Sequence, residues 1–182
     1  MQLPLIDNSW TLFLDRDGVI NEEIRKGYVL HWDMFKFTSG AEEALGIFAR
    51  RFGHIVVTTN QRCIGKGLLT TAGLQDIHTR MLAAIAPHGG RIDRIYHCPD
   101  VDSNSPCRKP QPGMGLQAQQ DFPEIDFARS IMVGNTLSDM QFGKNLGMYT
   151  VFIPSTLPDL PFPHPLQDAR YESLLHFARA IQ

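Results

Sequence analysis

TLFLDRDGVIN, residues 11–21, opens with an apolar run and then breaks abruptly into two acids and a glycine. A short apolar run bounded by a turn reads as a strand buried on both faces, the pattern of a parallel sheet. A strand that closes on an acid puts that acid at the carboxyl edge of the sheet, where α/β folds bind their ligands. Asp15 and Asp17 stand two apart and Gly18 follows directly. An aspartate at such an edge can attack phosphorus and form an aspartyl-phosphate, splitting one hydrolysis into two easier steps. A second acid two residues on can protonate the leaving oxygen and then activate water. Gly18 lets the chain turn sharply between them. The competing reading is a plain turn carrying two solvated acids.

Outward from this stretch, strand and helix alternate. GAEEALGIFARRF (40–52) places Ala41, Ala44, Leu45 and Phe48 at helical spacing, and HIVVTT (54–59) is a β-branched second strand. TTAGLQDIHTRMLAAIA (70–86) reads as an amphipathic helix, IDRIYHC (92–98) as a third strand, and PGMGLQAQQDF (112–122) as a helix with Pro112 in its first turn. SIMVGN (130–135) is a fourth strand, TLSDMQFGKNLG (136–147) a helix, and MYTVFI (148–153) a fifth strand; a Pro-rich stretch (154–165) precedes a last helix near 172–181. The expected fold is α/β, a Rossmann-like, doubly wound, mainly parallel sheet in a single domain over 1–182, with no room for a separate cap domain.

Three further clusters fall at strand ends. TTNQ (58–61) offers hydroxyl and amide donors for phosphoryl oxygens, although Thr and Asn also favour turns for local reasons. CRKPQPGM (107–114) places Arg108 and Lys109 before a helix, where a lysine can neutralise charge on nucleophile and phosphoryl group alike. VGNTLSDM (133–140) carries Asn135 and Asp139, oxygen ligands suited to a hard cation such as magnesium.

Composition bounds the rest. With 182 residues, 43% hydrophobic, 20% charged and a net charge of −2, the chain reads as globular, with no electrostatic footprint for nucleic acid. MQLPLIDNSW shows no signal-peptide pattern and no stretch suits a membrane span, so a cytoplasmic protein is expected. Cys63, Cys98 and Cys107 are too few and odd in number for a disulfide framework, and none begins a Cys-x5-Arg phosphatase loop. The chain has no GxGxxG after its first strand and no Walker loop, since Lys66 is followed by glycine. A receiver-type signalling module would carry its phospho-accepting aspartate at the end of the third strand, which here ends Tyr96-His97-Cys98.

In order, these four clusters resemble the four motifs of the haloacid dehalogenase-like phosphatases. The likeness is to the subgroup of heptose-1,7-bisphosphate 7-phosphatases and histidinol-phosphatase domains, carried by DRDGVIN, GYV (27–29), TTNQRCIGKG, CRKPQPGM and VGNTLSDMQFG across nearly the whole chain. The resemblance implies Asp15 as nucleophile, Asp17 as general acid/base, and Thr59 and Lys109 as phosphoryl binders. It implies magnesium on the Asp15 carboxylate, the Asp17 carbonyl and a side chain of the fourth motif (Asn135, with help from Asp139), and Asn60, Gln61 and Arg108 along the substrate.

Two departures stand out. The family presents Gly-Asp in its fourth motif, whereas this chain has Gly134-Asn135, which lacks the charge; the alternative function is therefore a weak or inactive module that binds a phosphorylated ligand. Many relatives hold zinc before CRKP with Cys-x-His and Cys-x-Cys ligands, but CPDVDSNSPC (98–107) is shorter, with Asp100 and Ser105 at ligand positions, so zinc is not expected. A small phosphorylated metabolite is the expected substrate, a sugar phosphate before histidinol phosphate, and the protein a monomer or weak homo-oligomer. Without a cap, a flap near Tyr28 and Trp32 is left to exclude water. His54 and His78 read as structural.

Overall fold

The computed structural model describes residues 3–181; Met1, Gln2 (the start of the segment read above for a signal peptide) and Gln182 lie outside them. The chain runs β1 (Thr11–Leu14), α1 (Ala41–Ala49), β2 (His54–Asn60), α2 (Arg62–Gly65), α3 (Thr71–Ile85), β3 (Arg94–Cys98), α4 (Gly113–Asp121), β4 (Ser130–Gly134), α5 (Leu137–Asn145), β5 (Tyr149–Phe152), β6 (Ala169–Arg170) and α6 (Leu174–Ala180). The strands form one sheet in the order β3-β2-β1-β4-β5-β6, parallel at every pairing. Leu14 pairs with Val57 on one side and Val133 on the other, so β1 lies between the two halves of the chain.

Alternation along the strands divides the core. Leu12, Leu14, Ile55, Val57, Ile131 and Val133 face α1, α3 and α6, packing with Phe48, Ile77 and Phe177. Phe13, Val56 and Met132 face α4 and α5, with Met114, Ala118 and Phe142. Each of these side chains other than Ala118 contributes roughly 1.5–3 kcal/mol by leaving water. Three helices begin where a hydroxyl caps them: Thr70 accepts from Gly73 N, Ser173 from His176 N, and Thr136 forms a capping box with Asp139.

The five expected strands are present; β6 and α2 are additional. Two residues of β6 cannot show a period, and α2 is a single turn behind TTNQ. A second difference concerns Cys98 and Cys107, which are joined as a disulfide because the loop after β3 folds back onto the strand end, while Cys63 is free and buried. Cys98, Asp100 and Cys107 bring ligand-type atoms within 4.8 Å of one another, but here the two sulfurs are bonded to each other. The segment between β1 and β2 holds a flap with a 3-10 turn (Trp32–Met34) and α1, not a cap. Among the described residues no helix is long and apolar enough to cross a membrane.

Candidate active site

Strand parity sends neighbouring residues of DRDG to opposite sides of the sheet. Asp15 follows Phe13 toward α5, and Arg16 follows Leu14 toward α3. Asp15, only 8% exposed, accepts a hydrogen bond from Lys109 Nζ at 2.8 Å, and the same ammonium donates to Asp139 Oδ1 at 2.7 Å. Burial, with Asp139 adding like charge, pushes the Asp15 carboxyl up to about 7 even though Lys109 opposes it. Burial disfavours the Lys109 cation, but the two carboxylates outweigh it and hold its pKa above the usual lysine value. Both shifts follow from one buried cluster of two acids and one cation, which carries a surplus negative charge that a bound cation would balance.

Arg16 is fully buried. Its Nη2 donates to Asp17 Oδ1 at 2.8 Å, its Nη1 lies 3.2 Å from His78 Nε2, and its guanidinium sits over the Phe35 ring. Asp17 also accepts from Asn21 Nδ2 at 2.9 Å and Gln61 Nε2 at 2.8 Å. Burial alone would raise the Asp17 carboxyl; Arg16 and these two amides reverse the sign and hold it below the usual carboxylate range. Gly18, at φ +86°, takes the left-handed turn that lets Asp17 and Asn21 meet.

The remaining candidates gather at the same edge, some in other roles. Thr59 is buried and accepts from Gln61 Nε2 at 2.8 Å. Asn60 clamps the Lys109 backbone, accepting from Lys109 N at 3.0 Å and donating to Lys109 O at 3.2 Å. Arg108 donates to Asp100 O at 3.0 Å and, with Asn60, Gln61, Tyr28, Arg62 and Lys66, lines a cavity of about 480 Å3. Tyr28 belongs to that cavity and accepts from Arg62 Nε (2.9 Å) and Lys66 Nζ (3.0 Å), whereas Trp32 stacks on Phe35 as packing. The expected metal ligand Asp139 has both oxygens engaged: Oδ1 by Lys109, and Oδ2 by Asn135 N, Thr136 N and Thr136 Oγ1. It anchors the lysine and the start of α5.

Asn135 is the test of whether a magnesium ion fits. Its Nδ2 donates to Thr156 Oγ1 at 2.5 Å, while its Oδ1 is buried without a hydrogen-bond partner. An orphaned buried carbonyl oxygen at the strand beside Asp15 is the neutral counterpart of the family's carboxylate ligand, and hard oxygen donors suit Mg2+. Arg16, Asn21, Glu23 and Thr156 escaped the sequence reading. Arg16 alone had a legible signal there, since parity puts it inside and a buried guanidinium needs a carboxylate.

Comparison with known proteins places the chain in a family. Residues 106–156 match the family model described as HAD-hydrolase-like. The D-glycero-alpha-D-manno-heptose-1,7-bisphosphate 7-phosphatase of Mycobacterium bovis is 35% identical over 96% of this chain and 92% of its own. The D-glycero-beta-D-manno-heptose-1,7-bisphosphate 7-phosphatase of Escherichia coli K12 is 35% identical over 94% of this chain and 93% of its own. The crystal structure of the D,D-heptose 1,7-bisphosphate phosphatase from B. bronchiseptica, complexed with magnesium and phosphate, superposes with a TM-score of 0.83 at 29% identity, covering 94% of this chain and 97% of that one. The chain belongs to the haloacid dehalogenase-like phosphatases, in the heptose-bisphosphate phosphatase subgroup.

Proposed function

We propose that this phosphatase hydrolyses a sugar phosphate, a heptose bisphosphate in particular, with magnesium and an aspartyl-phosphate at Asp15. The observation that carries the reading is the buried Asp15–Lys109–Asp139 cluster at the strand edge, beside a cavity rimmed by Arg62, Lys66 and Arg108. An Asp15 carboxylate oxygen attacks phosphorus as the bond to the leaving oxygen breaks, and Asp17 gives that oxygen its proton. A water then attacks the phosphoryl-aspartate, Asp17 takes the proton of that water, and the Asp15 carboxylate is released with inorganic phosphate. At rest Arg16 holds Asp17 ionised, which suits the second half; the first half requires the carboxyl to turn from Arg16 toward the leaving oxygen and carry a proton. Lys109 and the Thr59 hydroxyl steady the phosphoryl oxygens.

Magnesium would be held by the Asp15 carboxylate, the Asp17 carbonyl and Asn135 Oδ1, supplying positive charge to the attacking and phosphoryl oxygens. Asp139 is spoken for by Lys109 and Thr136 and stays outside this set. The cationic rim favours a substrate with a second anionic group. It disfavours histidinol phosphate, whose remote end is cationic. The relatives' names divide between alpha and beta anomers of the bisphosphate, and both anomers belong in the assay.

The test is magnesium-dependent phosphate release from both heptose bisphosphate anomers, histidinol phosphate and an aryl phosphate, with Asp15→Asn as the control. Turnover of a bisphosphate that disappears in Asp15→Asn is the expected result. No turnover by folded protein at millimolar magnesium would overturn it and leave a module that binds phosphorylated ligands, the reading that the missing charge at Asn135 favours.

A further inference from the structure

A primary amide at a metal site can present either end, and the wrong one offers magnesium an N–H. A carboxylate avoids this ambiguity because its two oxygens are equivalent. The exchange of Asp for Asn in the fourth motif therefore costs more than a charge, since the amide must also be oriented. The residues that touch Asn135 show how that is done. Nδ2 donates to Thr156 Oγ1 at 2.5 Å, and the Thr156 hydroxyl in turn donates to Glu23 Oε2. Asn135 also lies flat against Gly18, where a Cβ would meet Nδ2 at 2.0 Å and Cγ at 2.8 Å, and Ser155 Oγ ties the Gly18 carbonyl at 2.5 Å.

Thr156 has one hydroxyl proton. Glu23, as a carboxylate, can only accept, so it claims that proton. Thr156 Oγ1 is then left as an acceptor toward Asn135 and calls for an N–H there. The flipped amide would set Oδ1 against the Thr156 lone pairs, two acceptors in contact with no proton between them. Only one orientation satisfies the chain, and it leaves Oδ1 as the buried oxygen without a partner. We propose that Glu23 and Thr156 are positioning residues for metal binding: through a polarised hydrogen-bond chain they fix the Asn135 amide with its carbonyl oxygen toward the cation. Glu23 is an exposed residue of the flap, and Thr156 belongs to the loop after β5. The device thus spans two segments that the four motifs do not include. The inference rests on the magnesium reading above and deepens it.

Magnesium affinity, measured by calorimetric titration of the full chain without substrate, tests this directly. Thr156→Val removes the acceptor and keeps the shape; the expected loss is on the order of tenfold in affinity, the usual cost of removing a partner that orients a metal ligand. Thr156→Ser keeps the hydroxyl and should bind close to wild type. Glu23→Ala frees the Thr156 proton, so that a flipped Asn135 amide can accept it through Oδ1 and turn its N–H toward the cation, and should weaken binding similarly. Glu23→Gln can still accept that proton through its amide oxygen, so it should retain affinity although the charge is gone. That contrast separates hydrogen-bond polarity from simple attraction between an acid and a cation. Wild-type affinity in either Thr156→Val or Glu23→Ala overturns the proposal, as does equal weakening in Glu23→Gln and Glu23→Ala. Wild-type protein that binds no magnesium at all would instead refute the metal reading itself, and the proposal with it.

Discussion

Replacing His78 with glutamine should flatten the acid limb of the stability curve. His78 is 4% exposed on α3, its Nε2 3.2 Å from the Arg16 guanidinium, with His97 and Asp17 the other charged or titratable groups acting on it. Burial first, and then the Arg16 charge, lower its pKa from 6.5 to about 3. The unfolded chain therefore binds a proton below pH 6.5 that the folded chain refuses until about pH 3. This stability is fully present above 6.5 and is lost as the pH falls toward 3. At roughly 1.4 kcal/mol per pKa unit, the difference reaches about 5 kcal/mol at the acid end and about 2 kcal/mol at pH 5. Glutamine can still accept from Arg16 Nη1 but does not titrate. Urea denaturation of both proteins at pH 7.5 and pH 5 cancels the carboxylates and His97, which they share. The wild type should lose about 2 kcal/mol more than His78→Gln between the two conditions. Equal losses would show that the imidazole takes its proton in the folded state, and the account of the Arg16–His78 contact would fall.

Three other outcomes follow from the site. Lys109→Met strands two buried carboxylates and should cost about 3 kcal/mol or more in urea at neutral pH, a loss below 1 kcal/mol counting against the buried cluster. Gly134→Ala puts a Cβ 2.2 Å from Asp139 Cβ and 2.6 Å from its Cγ; displacing Asp139 should lower stability by roughly 1–3 kcal/mol and slow phosphate release, and full activity would mean that Asp139 does not hold Lys109 in place. Asn135→Asp restores the family's charge and should lower the magnesium concentration for half-maximal activity; an unchanged requirement would remove Asn135 from the ligand set.

Most of the architecture was legible because β1, β4, β5 and the middle of β2 carry apolar runs, and Asp15, Asn60 and Asn135 stand at the ends of β1, β2 and β4. Where the reading fell short, the missing term was spatial. β6 is two residues held by β5 and leaves no periodic trace. Cys107 meets Cys98 only because the intervening loop turns back, which a count of three cysteines cannot express. Asp139 was visible as an acid just past the fourth strand, yet it is also the third residue of a capping box begun by Thr136, and the cap and Lys109 use both its oxygens. Asn60 likewise ends a strand and lines the cavity, but holds Lys109 by its backbone. Thr156 and Glu23 belong to no recognisable pattern, and only the fold brings them to Asn135.

The place of β1 in the middle of the sheet has a consequence for assembly. In chain order Asp15 comes first, its neighbour β2 follows, and Lys109 and β4 come only after α3 and β3. Asn60 at the end of β2 can hold the Lys109 backbone, but until β4 docks beside Leu14, Asp15 lacks its neighbour Asn135 and Lys109 lacks the Asp139 that anchors it. The candidate site around Asp15 is therefore complete only when both halves of the sheet have closed on β1.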